Sequence, residues 1–344
     1  MELKDKIYYP EIRVFDKDIG WKHKPSTLFH LKGKEWDSRF KTNSLGFKDR
    51  EHSIKKEKET YRVLFLGDSY TAAIRVPIEK SFSYLFEKIS NSDKNITKKK
   101  GNIETINISV GGWSTVHELA ALKKYGLKFK PDEVVLVFCI ANDIIKNSYE
   151  DPSKGIEDTS SSFLLRVLYN ITPKKMFSYF GKGIRTSNFL LRIANKLRII
   201  PEQPNFLEIF DEEYDEKINL TYKKTFEYLN EIKKICDRNK IKLSIALAPP
   251  PFQFGKELIY EELNKNESIY SKKSRPLKLK KIVLDKPSKI LENFCINKQI
   301  PCINLYKEIK KTKDPLSLYF KSIDHWNEKG ERFVAKCLKN QIFL

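Results

Sequence analysis

The sequence has few cysteines, and they form no recognisable pair. The chain of 344 residues contains five, with no Cys-x-x-Cys motif: Cys139, Cys236, Cys295, Cys302 and Cys337. Because the count is odd, a complete disulfide framework is excluded. Buried free thiols in a reducing compartment are the simplest account of them.

Long apolar runs are also absent. No segment approaches the length that a membrane span requires, and residues 1–6 lack the apolar core of a signal peptide. The sequence as given therefore predicts a soluble, cytoplasmic protein. Hydrophobic residues make up 40% and aromatic residues 12% of the chain, which is enough for a substantial core and argues against general disorder.

Nucleotide and zinc motifs are missing as well. The 13 glycines include neither a P-loop nor a dinucleotide-binding pattern. The five histidines are not spaced as zinc ligands. Neither class of cofactor is therefore indicated.

Basic residues outnumber acidic ones, which gives a formal net charge of +20. Such a charge could serve binding to nucleic acid, an anionic membrane surface or an acidic substrate. Lysine runs occur in almost every segment rather than in one stripe, and no RNA-binding or zinc-finger signature accompanies them. We interpret the charge as lysines spread over solvated surfaces, so no nucleic-acid partner is expected.

Strand and helix patterns alternate from residue 59 onward. Short apolar runs predict buried strands at 61–66, 104–108, 133–140, 243–248 and 302–305. Helical spacing of apolar residues predicts helices at 78–90, 115–125, 214–239, 286–298 and 327–340. This alternation predicts an α/β fold with a mostly parallel, five-stranded sheet covered on both faces.

Two segments fall outside this alternation. Residues 1–58 mix aromatic and turn residues, and we interpret them as an N-terminal arm, with a β-hairpin, packed on a main domain of residues 59–344. Within that domain, about residues 147–210 hold basic amphipathic helical patterns at 163–168 and 189–194. We expect an inserted helical cap or lid there, with contact to a membrane surface as the alternative.

Polar residues and glycines occupy four informative places. Ser69 follows the first predicted strand, Gly112 the second and Asn142 the third, while His325 precedes the last helix. The carboxyl ends of parallel strands share one edge of a sheet, so these residues can converge there although they are far apart in sequence. Each is uninformative alone, but the four in this order form a joint signal.

The chemistry of these residues suits a serine nucleophile. Ser69 would attack an acyl carbonyl, and His325 would take its proton and return it to the leaving group. The backbone N–H groups of Ser69 and Gly112 and the amide of Asn142 would form an oxyanion hole, each donor contributing about 3 kcal/mol. A carboxylate beside the histidine, Asp324, would fix its tautomer.

These motifs resemble the SGNH/GDSL hydrolase superfamily. Its serine, glycine, asparagine and histidine blocks match, in order, Gly67-Asp68-Ser69, Asn107-Ile108-Ser109-Val110-Gly111-Gly112, Ala141-Asn142-Asp143 and His325-Trp326-Asn327. The resemblance covers residues 60–146 closely and 212–342 more loosely. In the arm, Gly46-Phe47-Lys48-Asp49 is similar to the lead-in of some bacterial members.

The resemblance implies a flavodoxin-like, three-layer α/β/α sandwich that acts on acyl esters without a metal or an organic cofactor. The expected substrate is a small-molecule or glycan acyl ester, for example an acetyl group on a carbohydrate, cleaved through an acyl-enzyme. Ser69 lacks the Gly-x-Ser-x-Gly context, since position 71 is Thr, and the α/β-hydrolase fold is therefore disfavoured.

One position departs from the family pattern. The triad aspartate usually precedes the histidine by two or three residues, but Ser322 and Ile323 stand there and Asp324 is directly adjacent to His325. Neighbouring side chains of an extended segment point to opposite faces, so a Ser–His dyad is an alternative. We expect a tight turn to bring Asp324 to the histidine.

Two other functions stay open at this stage. The same residues would serve an acyltransferase that moves an acetyl group to or from a carbohydrate. A non-catalytic, basic binding protein on a degenerate hydrolase scaffold would also account for the charge and the displaced aspartate.

Overall fold

The computed structural model of the chain describes residues 2–4, 12–147, 205–259, 261 and 280–343, with the backbone alone for residues 2–4. The helical cap expected at 147–210, including both of its amphipathic patterns, lies outside these residues except at its two ends.

The N-terminal arm contains two β-hairpins where one was expected. Its strands are β1 (Glu2–Lys4), β2 (Arg13–Asp16), β3 (Gly20–His23), β4 (Leu28–Lys32) and β5 (Asp37–Lys41). Strands β2 and β3 pair antiparallel, as do β4 and β5, and β1 adds to β4 in parallel.

The arm packs into the hydrophobic core of the chain. Phe29 and Leu31 of β4 cluster with Ala72 and Ile74, which follow the first strand of the main domain. Phe47 joins the large core cluster, with its ring edge-on to Tyr125 at a centroid distance of 5.4 Å. The described part of the arm is therefore integrated with the residues that carry the candidate site.

A five-stranded parallel sheet forms the centre of the main domain. Its strands are β6 (Thr60–Gly67), β7 (Asn102–Ser109), β8 (Glu133–Cys139), β9 (Lys242–Ala248) and β10 (Cys302–Asn304). The order across the sheet is β10-β9-β8-β6-β7, and every pairing is parallel. This is the flavodoxin-like order, in which the chain reverses its direction across the sheet between β6 and β8.

Helices cover both faces of the sheet. They are α1 (Ser69–Ala72), α2 (Phe82–Asn91), α3 (Lys94–Lys100), α4 (Thr115–Lys124), α5 (Ile140–Lys146), α6 (Glu216–Arg238), α7 (Lys286–Asn297), α8 (Leu305–Lys310) and α9 (Glu328–Ile342). Among the described residues, no helix is long and apolar enough to cross a membrane.

Alternating side chains of β6 separate the core into two layers. Leu64 and Leu66 pack with α4, α6 and α7 on one face, while Val63 and Phe65 pack with α2 and α9 on the other. The period of two in an extended strand produces this division. The predicted three-layer α/β/α architecture with a five-stranded parallel sheet is confirmed.

Two strands end one residue earlier than expected. Strand β8 stops at Cys139 because α5 begins at Ile140, and β10 stops at Asn304. The side chain of Asn304 accepts the backbone N–H of Lys307 and so starts α8, a helix that the apolar run concealed.

Candidate active site

Ser69 lies on a tight turn at the carboxyl end of β6. Asp68 caps α1 by accepting the backbone N–H of Tyr70 at 2.9 Å, and Ser69 is the first residue of that helix. A Cβ atom at Gly67 would lie 2.0 Å from Oγ1 of Thr71, so the turn requires glycine at this position. The half-buried Ser69 side chain lines a small cavity at the sheet edge.

His325 lines the same cavity from the loop before α9. Its ring stacks on Tyr70, with centroids 5.0 Å apart and planes 17° apart. The Tyr70 hydroxyl donates to the backbone oxygen of Asp324, and the backbone N–H of Phe320 donates to the backbone oxygen of His325 at 2.9 Å. The residue that follows Ser69 therefore holds the histidine loop against the serine turn.

The imidazole of His325 makes no hydrogen bond within the described parts of the chain, and its ring nitrogens are buried. Ser69 and His325 thus share a cavity without being hydrogen-bonded to each other. Catalytic hydrogen bonds of this kind are often long in the absence of substrate and tighten when it binds.

Asp324 is beside His325 in space as well as in sequence. Its Oδ1 lies 3.0 Å from Nδ1 of His325, an ion-pair distance without hydrogen-bond alignment. Desolvation raises the pKa of Asp324, but the neighbouring His325, and more weakly Arg75, outweigh it and bring that pKa to about 2. The Asp324 side chain is 55% exposed, and its carboxylate is ionised at neutral pH.

The glycine loop after β7 lies against the serine turn. A Cβ atom at Gly111 would come within 3.4 Å of the Cβ of Ser69, and Gly112 has a φ of +87°. Arg13 and Trp21 of the arm donate to the Gly111 carbonyl, the Trp21 bond being 3.3 Å long. Because a trans peptide directs its N–H away from its C=O, these bonds fix the direction of the Gly112 N–H.

Asn142 lies in the first turn of α5, and its side-chain NH₂ group makes two hydrogen bonds. Nδ2 donates to Oδ2 of Asp68 at 2.9 Å and to the backbone oxygen of Trp113 at 2.7 Å. Lys146 of the same helix donates to the backbone oxygen of Gly112 at 2.7 Å. Helix α5 thereby ties the serine turn to the glycine loop, and Asn142 would exchange one partner to donate to an oxyanion.

Three buried carboxyl groups influence one another near the serine turn. Burial raises the pKa of Asp68, Glu118 and Asp143, and neighbouring carboxylates raise it further for the last two. Asp68 accepts two hydrogen bonds that favour its ionised form. Both oxygens of Glu118, in contrast, have no hydrogen-bond partner among the described residues, so no hydrogen bond there favours its ionised form. No cluster of three or more His, Cys, Asp or Glu side chains in the described ranges is placed to hold a metal.

A buried lysine and a buried glutamate lie close to the cavity. Lys48 of the arm donates to the backbone oxygen of Ala73 at 2.7 Å, and Glu331 of α9 accepts the backbone N–H of Phe82 at 2.7 Å. Burial lowers the pKa of Lys48 to about 8 and raises that of Glu331 to about 8, against their mutual attraction. Glu331 also lines the cavity.

The tip of the β4–β5 hairpin holds the histidine loop from the other side. Glu35 accepts the backbone N–H groups of Lys321 and Ser322 at 3.0 and 2.6 Å, and Trp36 packs edge-on against Phe320 at a centroid distance of 5.5 Å. Hydrogen bonding by Ser322 holds the pKa of Glu35 below its ordinary value. Sequence reasoning missed Glu35, because no local pattern indicates a contact between the two ends of the chain.

Comparison with known proteins finds likeness in structure but not in sequence. No protein-family model and no curated protein sequence matches the chain. A GDSL-like lipase from Bacteroides thetaiotaomicron is similar at 13% identity and TM-score 0.40, covering 85% of this chain and 91% of its own. The esterase EstA from Pseudoalteromonas sp. is 13% identical at TM-score 0.41, covering 82% of this chain and 96% of its own.

An acetylxylan esterase from Geobacillus stearothermophilus, Axe2, is also similar. It is 11% identical at TM-score 0.43, covering 83% of this chain and 94% of its own. At such identities and TM-scores, these likenesses do not indicate the chemistry of this chain.

Proposed function

We propose that the protein is a serine ester hydrolase that acts through an acyl-enzyme. The observation that carries the proposal is that Ser69 and His325, from opposite ends of the main domain, line one cavity at the carboxyl edge of the parallel sheet. Ligands of open α/β sheets bind at this edge, at the point where the strand order reverses. Ser69 follows β6, one of the two strands that flank this point.

The surroundings of the two ring nitrogens of His325 assign the roles of the site residues. Nδ1 of His325 faces Asp324, which leaves Nε2, unbonded and buried, to accept the proton of the Ser69 hydroxyl. The Ser69 oxygen then forms a bond to the acyl carbonyl carbon, and the tetrahedral intermediate collapses with release of the alcohol, which takes the proton from Nε2. Water repeats the sequence on the acyl-enzyme and releases the acid. The Asp324 carboxylate balances the charge of the imidazolium in both halves.

The developing oxyanion is bound by the N–H groups near Ser69. The backbone N–H of Ser69 belongs to the first turn of α1, and that of Gly112 is fixed by the contacts of Arg13 and Trp21 with the preceding carbonyl. We assign the third donor to the Asn142 amide, which would turn from Trp113 or Asp68 toward the oxyanion. Such donors typically contribute about 3 kcal/mol each to lowering the barrier.

A fluorophosphonate probe tests the proposal, because it reacts only with an activated serine nucleophile. Wild type, Ser69→Ala and His325→Ala are incubated with the probe, and the labelled peptide is identified by mass spectrometry. Ser53→Ala, which removes an exposed hydroxyl from a residue that does not line the cavity, is the matched control. We expect label on Ser69 in wild type and in Ser53→Ala, none in Ser69→Ala and little in His325→Ala. Absence of label in folded wild-type protein would overturn the proposal.

A further inference from the structure

Arg75 is the cationic side chain of the Ser69 cavity. It lines the cavity together with Ser69 and His325, on the segment that leaves α1. Its guanidinium carbon lies 5.5 Å from the centroid of the Trp36 ring, which belongs to the arm. A cation–π contact with an indole holds a guanidinium in place and leaves its N–H groups available for hydrogen bonds.

The guanidinium of Arg75 has no hydrogen-bond partner within the part of the chain that the structure describes. Its Nε is buried and unbonded. Two other arginines show what pairing looks like in this fold. Arg62 donates through Nε to Glu104 at 2.7 Å and through its other nitrogens to backbone oxygens, and Arg50 is paired with Glu87.

An unpaired guanidinium on a cavity wall is costly unless the cavity receives an anion. Loss of water from N–H donors without replacement destabilises the protein. A planar guanidinium matches a carboxylate through two parallel N–H···O bonds. The charge of Arg75 lowers the pKa of the nearby Asp324 carboxylate. The two side chains are nevertheless beyond ion-pair distance, and the Asp324 carboxylate lies 3.0 Å from His325 instead.

We propose that Arg75 binds a carboxylate of the substrate, so that the ester cleaved at Ser69 carries a negative charge close to its scissile bond. This inference rests on the proposed hydrolase function and specifies the substrate class. The carboxylate can belong to the acyl group, as in a dicarboxylic half-ester, or to the alcohol, as in an acetylated uronic acid. Both sources present the same group to Arg75.

A different role would have Arg75 act on the reaction through Asp324. In that case its removal would slow the hydrolysis of charged and neutral esters alike. The two roles are separated by comparing esters that match in size and differ in charge.

Two pairs of esters make the comparison. 4-Nitrophenyl hemisuccinate against 4-nitrophenyl butyrate tests a charge on the acyl group, and acetylated methyl glucuronide against acetylated methyl glucoside tests a charge on the alcohol. Each is assayed with wild type, Arg75→Gln, Arg75→Lys and Arg332→Gln. Arg332 is exposed on α9, so its replacement removes the same charge outside the cavity. Tm is measured for every variant.

We expect wild type to prefer the charged member of at least one pair, and the ratio of kcat/KM between charged and neutral esters to fall at least tenfold in Arg75→Gln. Arg75→Lys should keep part of the preference, and Arg332→Gln all of it. An unchanged ratio in both pairs, or an equal loss for charged and neutral esters, overturns the assignment. Fluorophosphonate labelling distinguishes failure of the Arg75 assignment from failure of the proposed hydrolase function. Protein that is labelled but shows no charge preference rejects only the role of Arg75. Protein that is not labelled rejects both the hydrolase function and the carboxylate subsite.

Discussion

The Asp324 carboxylate lies 3.0 Å from Nδ1 of His325, the residue that follows it in the chain. Adjacent side chains meet here because the segment is not extended. The loop closes on itself through the bond from the Phe320 N–H to the His325 carbonyl, and the Tyr70 hydroxyl holds the Asp324 carbonyl on the other side. The position that departs from the family spacing therefore still presents a carboxylate to the histidine.

Replacing Asp324 by Asn should reduce kcat/KM and change its pH dependence. The carboxylate is ionised, since its pKa is about 2, and in the proposed mechanism it stabilises the imidazolium of the transition state. Because the side chain is 55% exposed and not aligned as a hydrogen bond, we expect a loss of roughly 10–100-fold, less than the ~10⁴ of a buried triad aspartate.

The pH dependence of kcat/KM should shift in a definite direction when Asp324 is replaced by Asn. Without the negative charge, the imidazolium is less favoured, so the acidic limb of kcat/KM should move to lower pH in Asp324→Asn. Profiles of both proteins between pH 4 and 9 are the measurement, with Ser53→Ala as the control outside the cavity. Wild-type rates and an unshifted limb in the variant would favour a Ser–His dyad.

Replacing Asn142 by Ala tests whether its amide reaches the oxyanion. In the structure the amide binds Asp68 and Trp113, so a bracing role and an oxyanion role make different predictions. A donor to the oxyanion should cost about 10²-fold in kcat with little change in KM. Assays well below the Tm of the variant separate this loss from any loss of stability. Full kcat in Asn142→Ala would show that the amide does not donate to the oxyanion and only connects the serine turn to the glycine loop.

The sheet and the positions at its edge were predictable from the sequence, because both follow from local patterns of apolar and polar residues. Continuous apolar runs marked the strands, and β6 lies within one residue of expectation at its start and end. Parallel topology then required Ser69 and Asn142 to lie near one edge. The short β10 was expected one residue longer, since Leu305 continues the apolar run but belongs to α8.

The contacts of these side chains were not predictable in the same way. Glu35, Arg75 and Lys48 act through backbone groups or aromatic rings far away in the chain. Their roles depend on how the arm docks, and docking depends on side-chain packing that no periodicity reports. Asn142 is similar: the sequence placed it at the edge, but its partners come from two separate loops.

Glu35 should act as a positioning residue for His325. Glu35→Ala removes two acceptors from the N–H groups of Lys321 and Ser322, which frees the loop that carries the imidazole. We expect a roughly tenfold slower fluorophosphonate reaction and a lower kcat at similar KM, in line with the sensitivity of catalysis to misplacement. Glu35→Gln, which keeps an acceptor, should recover part of the rate.

Glu51→Ala is the matched control for Glu35. Glu51 also accepts two hydrogen bonds in the arm, from the backbone N–H and the hydroxyl of Ser44 at 2.6 and 2.8 Å, and it does not line the cavity. An equal loss of labelling rate in both variants would mean that Glu35 serves only the stability of the arm.

Glu331 should make folding stability depend on pH. Its pKa is raised from the ordinary value of 4.5 to about 8 by burial, so the folded protein holds this proton more tightly than the unfolded chain. Its contribution to stability is then complete below about pH 4.5 and is lost as the pH rises toward 8. Glu331→Gln keeps an acceptor for the Phe82 N–H and removes the titration. The Tm of this variant, relative to wild type, should therefore rise between pH 5 and 8.

Glu328→Gln separates this effect from the general loss of a negative charge on α9. Glu328 is exposed and pairs with Lys80 at 2.7 Å, so its replacement should leave the pH dependence of Tm as in wild type. Thermal unfolding at several pH values and constant ionic strength makes the comparison. A constant difference in Tm between Glu331→Gln and wild type across this range would show that the buried carboxyl keeps an ordinary pKa, with Lys48 charged beside it.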